Sequence, residues 1–598
     1  MIPSPPPIPC RAPLLFSQMR DAAGGAAWNR VAETAAFGTA KMAGLAGTAV
    51  IADDRLGGRY ARRFRVAVMG SSADVFDGTT LWAQDISGGV HALDAPFARR
   101  RAVTDAALAS RTYLASGSHV DATCAGTATQ DGRTVLRVRI RPNGGIPAVL
   151  LVDAQTHLLD AVQERLPTTT EVTRYADYRD VDGLALPFSI ESGTRSEPAD
   201  GYAVRVRGYR VSRSANASDF RRPAALAPAR MLDGATSTTV PIVVEGRQLL
   251  VWASIDGHPP MPFILDTGGH AIVTPQAARA LGLHASGAGQ SGGSGAGTIG
   301  LQYAPVDSLR IGEAELRRQT FLVIPYSYSF YERGARQPLA GILGLEIFER
   351  FATRIDYGRG RLTLTPFSAY RPAAGAAAVP ICFQEDMPLG HAAADGHAAL
   401  FGIDTGNAGS VILFGTFLKR TGLLAAYPNG SAAVGHGTGG SDAGRIVALR
   451  RLSFAGATYA RVPAFLTDMR SGSFSSWTEA GNFGYEILSR AVPTFDYAAG
   501  TLYVQPSPFA QAPPKNRAGL IADKTVPQTF EVERVAPGSP AAAAGIVSGD
   551  TIVAVDGTSA QRLSYGDLYR LVTAAAGTAL RLRVVHAGTA RDVTLILR

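Results

Sequence analysis

Two aspartates stand in the same short context: Asp266-Thr267-Gly268 and Asp404-Thr405-Gly406, 138 residues apart (404 − 266). Hydrolysis of a peptide bond needs an activated water and a proton for the departing nitrogen. Two carboxylates held about 3 Å apart supply both, because like charges that close cannot both ionise and one pKa rises. One member then takes a proton from the shared water while the other donates to the carbonyl oxygen. Such a pair titrates as a unit, so Asp266 and Asp404 receive no separate roles. The hydroxyl of Thr267 or Thr405 can bond across to the opposite loop. Gly268 and Gly406 leave backbone room beside each carboxylate. This chemistry needs no metal and no cofactor.

A lone Asp-Thr-Gly is a common surface turn. The surroundings change its weight. The first copy runs VPIVV, Asp256-Gly257, FILDTGG, GILGLEIFERF and RIDYGRGRLTLTP. The second runs VPICF, Asp395-Gly396, FGIDTGN, GNFGYEILSRA and TFDYAAGTLYVQP. Asp266 precedes Gly344 by 78 residues (344 − 266) and Asp404 precedes Gly484 by 80 (484 − 404). Four anchors in register indicate a duplicated unit. Short apolar or alternating runs between Gly, Pro and Asp turns predict strands, with Asp-Gly hairpins before each triplet. A short helix is expected after each glycine, at 345–351 and 485–490. Asp356 and Asp496 recur too, in turn contexts that make them structural.

Each copy resembles one subunit of the retropepsin-like aspartic peptidase family. The matching residues are Asp266-Thr267-Gly268 with Ile342-Leu343-Gly344, and Asp404-Thr405-Gly406 with Phe483-Gly484. The resemblance implies two tandem β-barrel lobes, 235–370 and 371–508, forming a pseudo-dimer within one chain. It implies catalytic Asp266 and Asp404, supported by Thr267, Gly268, Thr405 and Gly406, and a monomeric enzyme. Asn482-Phe483-Gly484 departs from the usual two aliphatic residues, which bears on packing more than on chemistry. The family's mobile flaps have Gly-rich candidates at 291–300 and 435–440. His436 reads as a surface histidine. Tyr303 and Tyr326–Tyr331 are pocket candidates, with core or surface packing as the default.

Residues 515–598 follow a Pro-rich linker. They contain a Pro-Gly-Ser-Pro turn, an Ala-rich helix, the strand TIVAVDG, the helix SYGDLYRLVTAA and two closing strands. This unit resembles a bacterial PDZ (α+β) domain. Such domains bind an extended chain end as an added strand. Gly519, Leu520 and Ile521 occupy the position of the carboxylate-binding loop.

Residues 1–22 read as a Pro-rich tail and 23–220 as one β-rich domain. The segment 174–188, with Phe76-Asp77-Gly78 and Leu81-Trp82, resembles the half-barrel of periplasmic lipoprotein carriers. That resemblance implies an apolar concave face able to hold lipid. It also points to the periplasm or cell envelope of a bacterium.

Composition agrees with a mainly β, multidomain globular chain. Of 598 residues, 46% are hydrophobic and 18% charged, with 66 Gly and 36 Pro. The net charge of +9 comes without a basic run interleaved with aromatics, so no nucleic-acid groove is expected. Cys10, Cys124 and Cys382 suggest neither a disulfide framework nor a metal site. No apolar run is long enough for a membrane-spanning helix, and the apolar stretch at the N-terminus is too broken for a signal-peptide core. The expected activity is peptide-bond hydrolysis on a protein or peptide substrate, with the PDZ unit docking a chain end. The alternative is an inactive envelope scaffold binding peptides or lipids.

Overall fold

The computed structural model describes residues 11–114, 120–196, 199, 201–226, 229–293, 295, 297–325, 338–437, 439–509 and 514–598. Cys10 and Tyr326–Tyr331 lie outside the described residues. The architecture is mainly β: two tandem lobes, flanked by an N-terminal half-barrel and by a C-terminal α+β unit, the expected PDZ domain.

The N-terminal domain is one antiparallel sheet of thirteen strands. Sequence neighbours pair in two meanders. The first strand, Glu33–Met42, pairs with the last, Tyr202–Ser212, and joins them. Helix Pro96–Ser110 lies against this sheet and buries Phe97, Ala98 and Ala102. The segment expected as a tail is in part a helix, Ala12–Ala22. Leu15, Phe16 and Met19 share its inner face and pack with Val138 and Leu150, so the domain begins well before residue 23. Cys124 is disulfide-bonded, against the expectation from cysteine spacing, and Cys382 is free.

The two lobes meet in a six-strand run. Its order is Thr238–Pro241, Arg361–Pro366, Phe351–Asp356, Ala491–Asp496, Thr501–Pro506 and Ala377–Phe383. The junction pairs Thr353 with Phe495 and Arg354 with Thr494. Asp356 and Asp496 end the two central strands, each accepting a backbone N–H three residues on, from Arg359 and Ala499. The Asp-Gly turns are hairpins with positive φ at both residues: 49° and 78° at 256–257, 48° and 89° at 395–396. One core runs through both lobes, including Phe263, Leu343, Phe348, Phe401, Phe483 and Phe495.

The half-barrel is not a tethered module. Ala36, Phe64, Ile190 and Val204 of its sheet share a cluster with Leu250, Ile264, Ile342 and Tyr303 of the first lobe. At the other end the PDZ sheet begins with the edge strand Leu520–Val526. Among the described residues no helix is long and apolar enough to cross a membrane.

Candidate active site

Each triplet sits on a loop between parallel strands. Met261–Leu265 runs beside Gly341–Leu343, and His397–Ile403 beside Gly481–Phe483. The N–H of Asp266 donates to the Leu343 carbonyl at 2.9 Å, and that of Asp404 to Phe483 at 3.1 Å. The apolar-Gly motifs are glycine for contact. A Cβ on Gly344 would lie 1.8 Å from the Gly269 carbonyl oxygen, and one on Gly484 2.1 Å from that of Asn407. The short helices Leu345–Phe348 and Tyr485–Leu488 start from these contacts.

The loops face one another across the pseudo-dyad. A Cβ on Gly406 would stand 2.3 Å from Oδ2 of Asp266, so the carboxylate of one lobe lies on the glycine of the other. Beneath it the threonines cross. Thr267 Oγ1 donates to the Ile403 carbonyl at 2.7 Å and accepts from the Thr405 N–H at 3.0 Å. Thr405 Oγ1 donates to Leu265 at 2.9 Å and accepts from Thr267 at 3.0 Å. Both side chains are buried, so these four bonds fix the separation of the loops.

Burial first, and the Asp266 charge second, push Asp404 up to about 8, against backbone bonds from Asn407 and Gly406. Burial also raises Asp266, against bonds from Gly268 and Gly406. The pair therefore holds a proton near neutral pH. The environments differ. Asn482 Nδ2 donates to Asp404 Oδ2 at 2.8 Å, while its Oδ1 accepts from Asn407 Nδ2 at 2.9 Å. Asn482 thus touches the carboxylate, beyond the packing effect expected of it. On the other side Met387 covers Gly268, its Cε only 2.5 Å from where a Cβ would stand.

Each lobe sends a loop to the other's helix. Arg247 of the first lobe meets Glu486 of the second at 2.8 Å. In the reverse direction Asp386 lies 3.4 Å from His270 Nε2, whose Nδ1 lies 3.3 Å from Glu346. Glu346 and Glu486 are equivalent in the repeats. Burial opposes charge on His270, but Asp386 above all, then Glu346 and Asp85, hold its pKa well above the usual value.

The Gly-rich segments cap two hairpins, Ser286–Ser291 with Ile299–Ile311, and Ser431–Gly437 with Gly440–Phe454. Their tips meet: the N–H of Gly297 donates to the Gly439 carbonyl at 2.9 Å. Ser473 also bonds Gly293, at 2.7 Å. His436 lies in the second hairpin. Tyr303 is buried in the cluster shared with the half-barrel, not in a pocket. The half-barrel turn at Ala43 accepts from Ala288 of the first hairpin at 2.7 Å.

In the PDZ domain Gly519 has φ +70° and Leu520 is buried, while Ile521 is half-buried. Asn516 closes this loop, accepting from the Gly519 N–H at 2.9 Å and donating to the Leu520 carbonyl at 2.7 Å. Helix Tyr565–Val572 docks on the first lobe through buried Gly566, beside Glu245 and Gly246. Tyr569 lies under Arg247, 4.9 Å from guanidinium to ring centre. The half-barrel encloses a cavity of about 110 Å³ whose lining includes Asp53, Arg62, Asp105, Glu164, Tyr175 and Tyr202. Ile51, Leu108, Leu159, Val162 and Ile190 line it as well, so the concave face expected to be apolar is mixed, with apolar walls around a few buried polar groups.

Residues 251–347 match the family model described as aspartyl protease, and residues 531–585 match that of the PDZ domain. No curated protein matches the chain. An aspartic proteinase from Irpex lacteus aligns with 46% of this chain and 99% of its own, at 13% identity and TM-score 0.31. A LolA superfamily protein from Nitrosomonas europaea aligns with 36% of this chain and 99% of its own, at 12% identity and TM-score 0.26. Basic 7S globulin from soybean covers 45% and 94%, at 11% identity and TM-score 0.28. Likenesses this distant say nothing of activity. The chain carries an aspartyl-protease-like domain and a PDZ domain.

Proposed function

We propose that the chain is an aspartic endopeptidase in which a water shared by Asp266 and Asp404 attacks the scissile carbonyl. The observation that carries this reading is the Asp266 carboxylate seated on Gly406, above the crossed threonines. The singly protonated pair takes a proton from the water and gives one to the carbonyl oxygen; as the tetrahedral diol collapses, the pair gives a proton to the departing nitrogen and takes one from a diol hydroxyl, releasing amine and acid. The paired hairpins would close over an extended peptide. Both halves belong to one chain, so a complete site needs no second copy.

The edge strand Leu520–Val526 leaves room for an added peptide strand, the mode by which the PDZ domain would present a chain end. The resemblance of the half-barrel to periplasmic lipoprotein carriers points to the periplasm or cell envelope of a bacterium. Lipid binding by the half-barrel rests on its resemblance alone. The test is digestion of an unfolded protein by wild type, Asp266→Asn and Asp404→Asn. Each substitution should abolish cleavage, and undiminished cleavage by either overturns the mechanism.

A further inference from the structure

Each lobe reaches the other through a turn, between Val243–Glu245 and Gln248–Ile255 in the first and between Ala377–Phe383 and Pro388–Ala394 in the second. Arg247 and Asp386 hold the same place in these turns. Arg247 lies 7 residues after Val240 (247 − 240) and 9 before Asp256 (256 − 247). Asp386 lies 7 after Val379 (386 − 379) and 9 before Asp395 (395 − 386). Each points at a glutamate two residues past the other lobe's motif glycine, Glu486 after Gly484 and Glu346 after Gly344.

The two crossings differ in chemistry. Arg247 meets Glu486 directly, at 2.8 Å. Asp386 and Glu346 are both carboxylates and would repel one another. His270 stands between them, its Nδ1 3.3 Å from Glu346 Oε1 and its Nε2 3.4 Å from Asp386 Oδ2. Where no bridge is needed the repeat holds only a methyl group: Ala408 follows Asp404 by four residues (408 − 404), as His270 follows Asp266 (270 − 266). Only an imidazolium carries a proton on both ring nitrogens, so only the charged ring serves both acids. Glu346 is buried, and among the described residues His270 is the only ion-pair partner of either acid.

This crossing lies beside the dyad. His270 is on the Asp266 loop, and Met387 is the neighbour of Asp386. Met387 packs between the two catalytic loops, its Cε 2.5 Å from where a Cβ on Gly268 would stand and its Cγ 3.2 Å from one on Gly402. Besides Glu346 and Asp386, the ring faces Asp85 of the half-barrel, with His91, Glu349 and Arg350 behind it. The acids outweigh the burial and keep the ring charged beyond its ordinary value of 6.5.

We propose that His270 is a positioning residue: protonated, it bridges Glu346 and Asp386 and holds Met387 of the second lobe against the Asp266 loop of the first, and loss of that proton frees the turn. Arginine does not titrate in this range, so the alkaline loss falls on this crossing alone. Its effect on rate rests on the peptidase reading above, whereas the bridge itself does not.

The test follows the Met387 methyl group by NMR in the full-length chain carrying Asp266→Asn and Asp404→Asn, so that the dyad does not titrate; Met387→Leu assigns the signal. With His270 present the signal should shift as pH rises from about 6 to about 9. His270→Ala should show the high-pH position throughout. His270→Ala with Asp386→Arg, which copies the other crossing, should show the low-pH position throughout. With the dyad intact, His270→Ala should lose roughly 10-fold or more in kcat at about pH 6 with KM within about twofold, the mark of a misplaced catalytic group. Adding Asp386→Arg should restore most of that loss. A Met387 signal that ignores pH, or a double variant no better than His270→Ala, overturns the proposal. If the variants do not fold, the pH response of Met387 beside an intact His270 decides. A wild-type chain that cleaves nothing refutes the peptidase reading, and the Met387 signal then judges the bridge by itself.

Discussion

Asn482 donates its side-chain N–H to Asp404 Oδ2 across 2.8 Å, while its counterpart in the first repeat, Ile342, has no donor to offer Asp266. The two carboxylates are thus equivalent by descent and unequal in surroundings. A donor to a carboxylate favours its ionised form. Asn482→Leu should therefore raise the titration of the pair. We expect the acid limb of the pH–rate profile to move up by about 0.5–1 unit, the shift matching roughly 1 kcal/mol of one hydrogen bond. An unchanged profile would mean that Asn482 only packs.

The buried dyad also sets a pH dependence of stability. Asp404 has an ordinary value of 3.8 and a folded value of about 8. Its folded pKa is raised, so the folded chain holds the extra proton between those values and loses stability as pH rises from about 4 to about 8. His270 acts in the same direction. Its stabilisation is complete below its ordinary value of 6.5 and is lost as pH climbs through the higher folded value. Tm measured from pH 5 to 9 should fall. Asp404→Asn should flatten the slope and be more stable than wild type at pH 8 by about 1–3 kcal/mol, as a buried charge without a counter-ion is removed.

Much of the site was legible because duplication prints itself as spacing. The triplets, the Asp-Gly hairpins and the glycines Gly344 and Gly484 all recur, and each recurs for a contact that both lobes need. Features belonging to one lobe alone were harder to read. Asn407 and Asn482 replace Gly269 and Ile342 only in the second copy, and they bond each other. That paired departure was the available signal. The helix Ala12–Ala22 was hidden by the prolines before it, although Leu15, Phe16 and Met19 already lay on one helical face. Docking of the half-barrel on the first lobe left no mark, since Phe64 and Val204 alternate like residues on any half-buried strand.

The crossed threonines are bonded on both sides, so their chemistry matters more than their size. Thr267→Val keeps the shape but leaves the Thr405 N–H and the Ile403 carbonyl unpaired in a buried site. Urea unfolding should show a loss of about 2–4 kcal/mol. Thr267→Ser keeps the oxygen and should stay within about 1 kcal/mol of wild type.

Closure of the hairpins depends on two glycine tips. A Cβ on Gly439 would stand 2.2 Å from the Gly297 carbonyl oxygen, at a φ of +86°. Gly439→Ala should hold the tips apart while leaving the dyad untouched. KM for an extended peptide should rise severalfold, with Tm nearly unchanged, since a strained turn costs about 1 kcal/mol. An unaltered KM would show that the tips do not gate the cleft.

The central claim is that Asp266 and Asp404 of the same chain share one water. Cleavage of an unfolded protein should be measured with Asp266→Asn, with Asp404→Asn, and with an equimolar mixture of the two, alongside wild type diluted over a wide range. The account predicts that all three variant samples lose at least 1000-fold in rate, about 4 kcal/mol of barrier, and that wild-type activity per chain is constant on dilution. Recovery of activity in the mixture would contradict it, because the working pair would then form between chains.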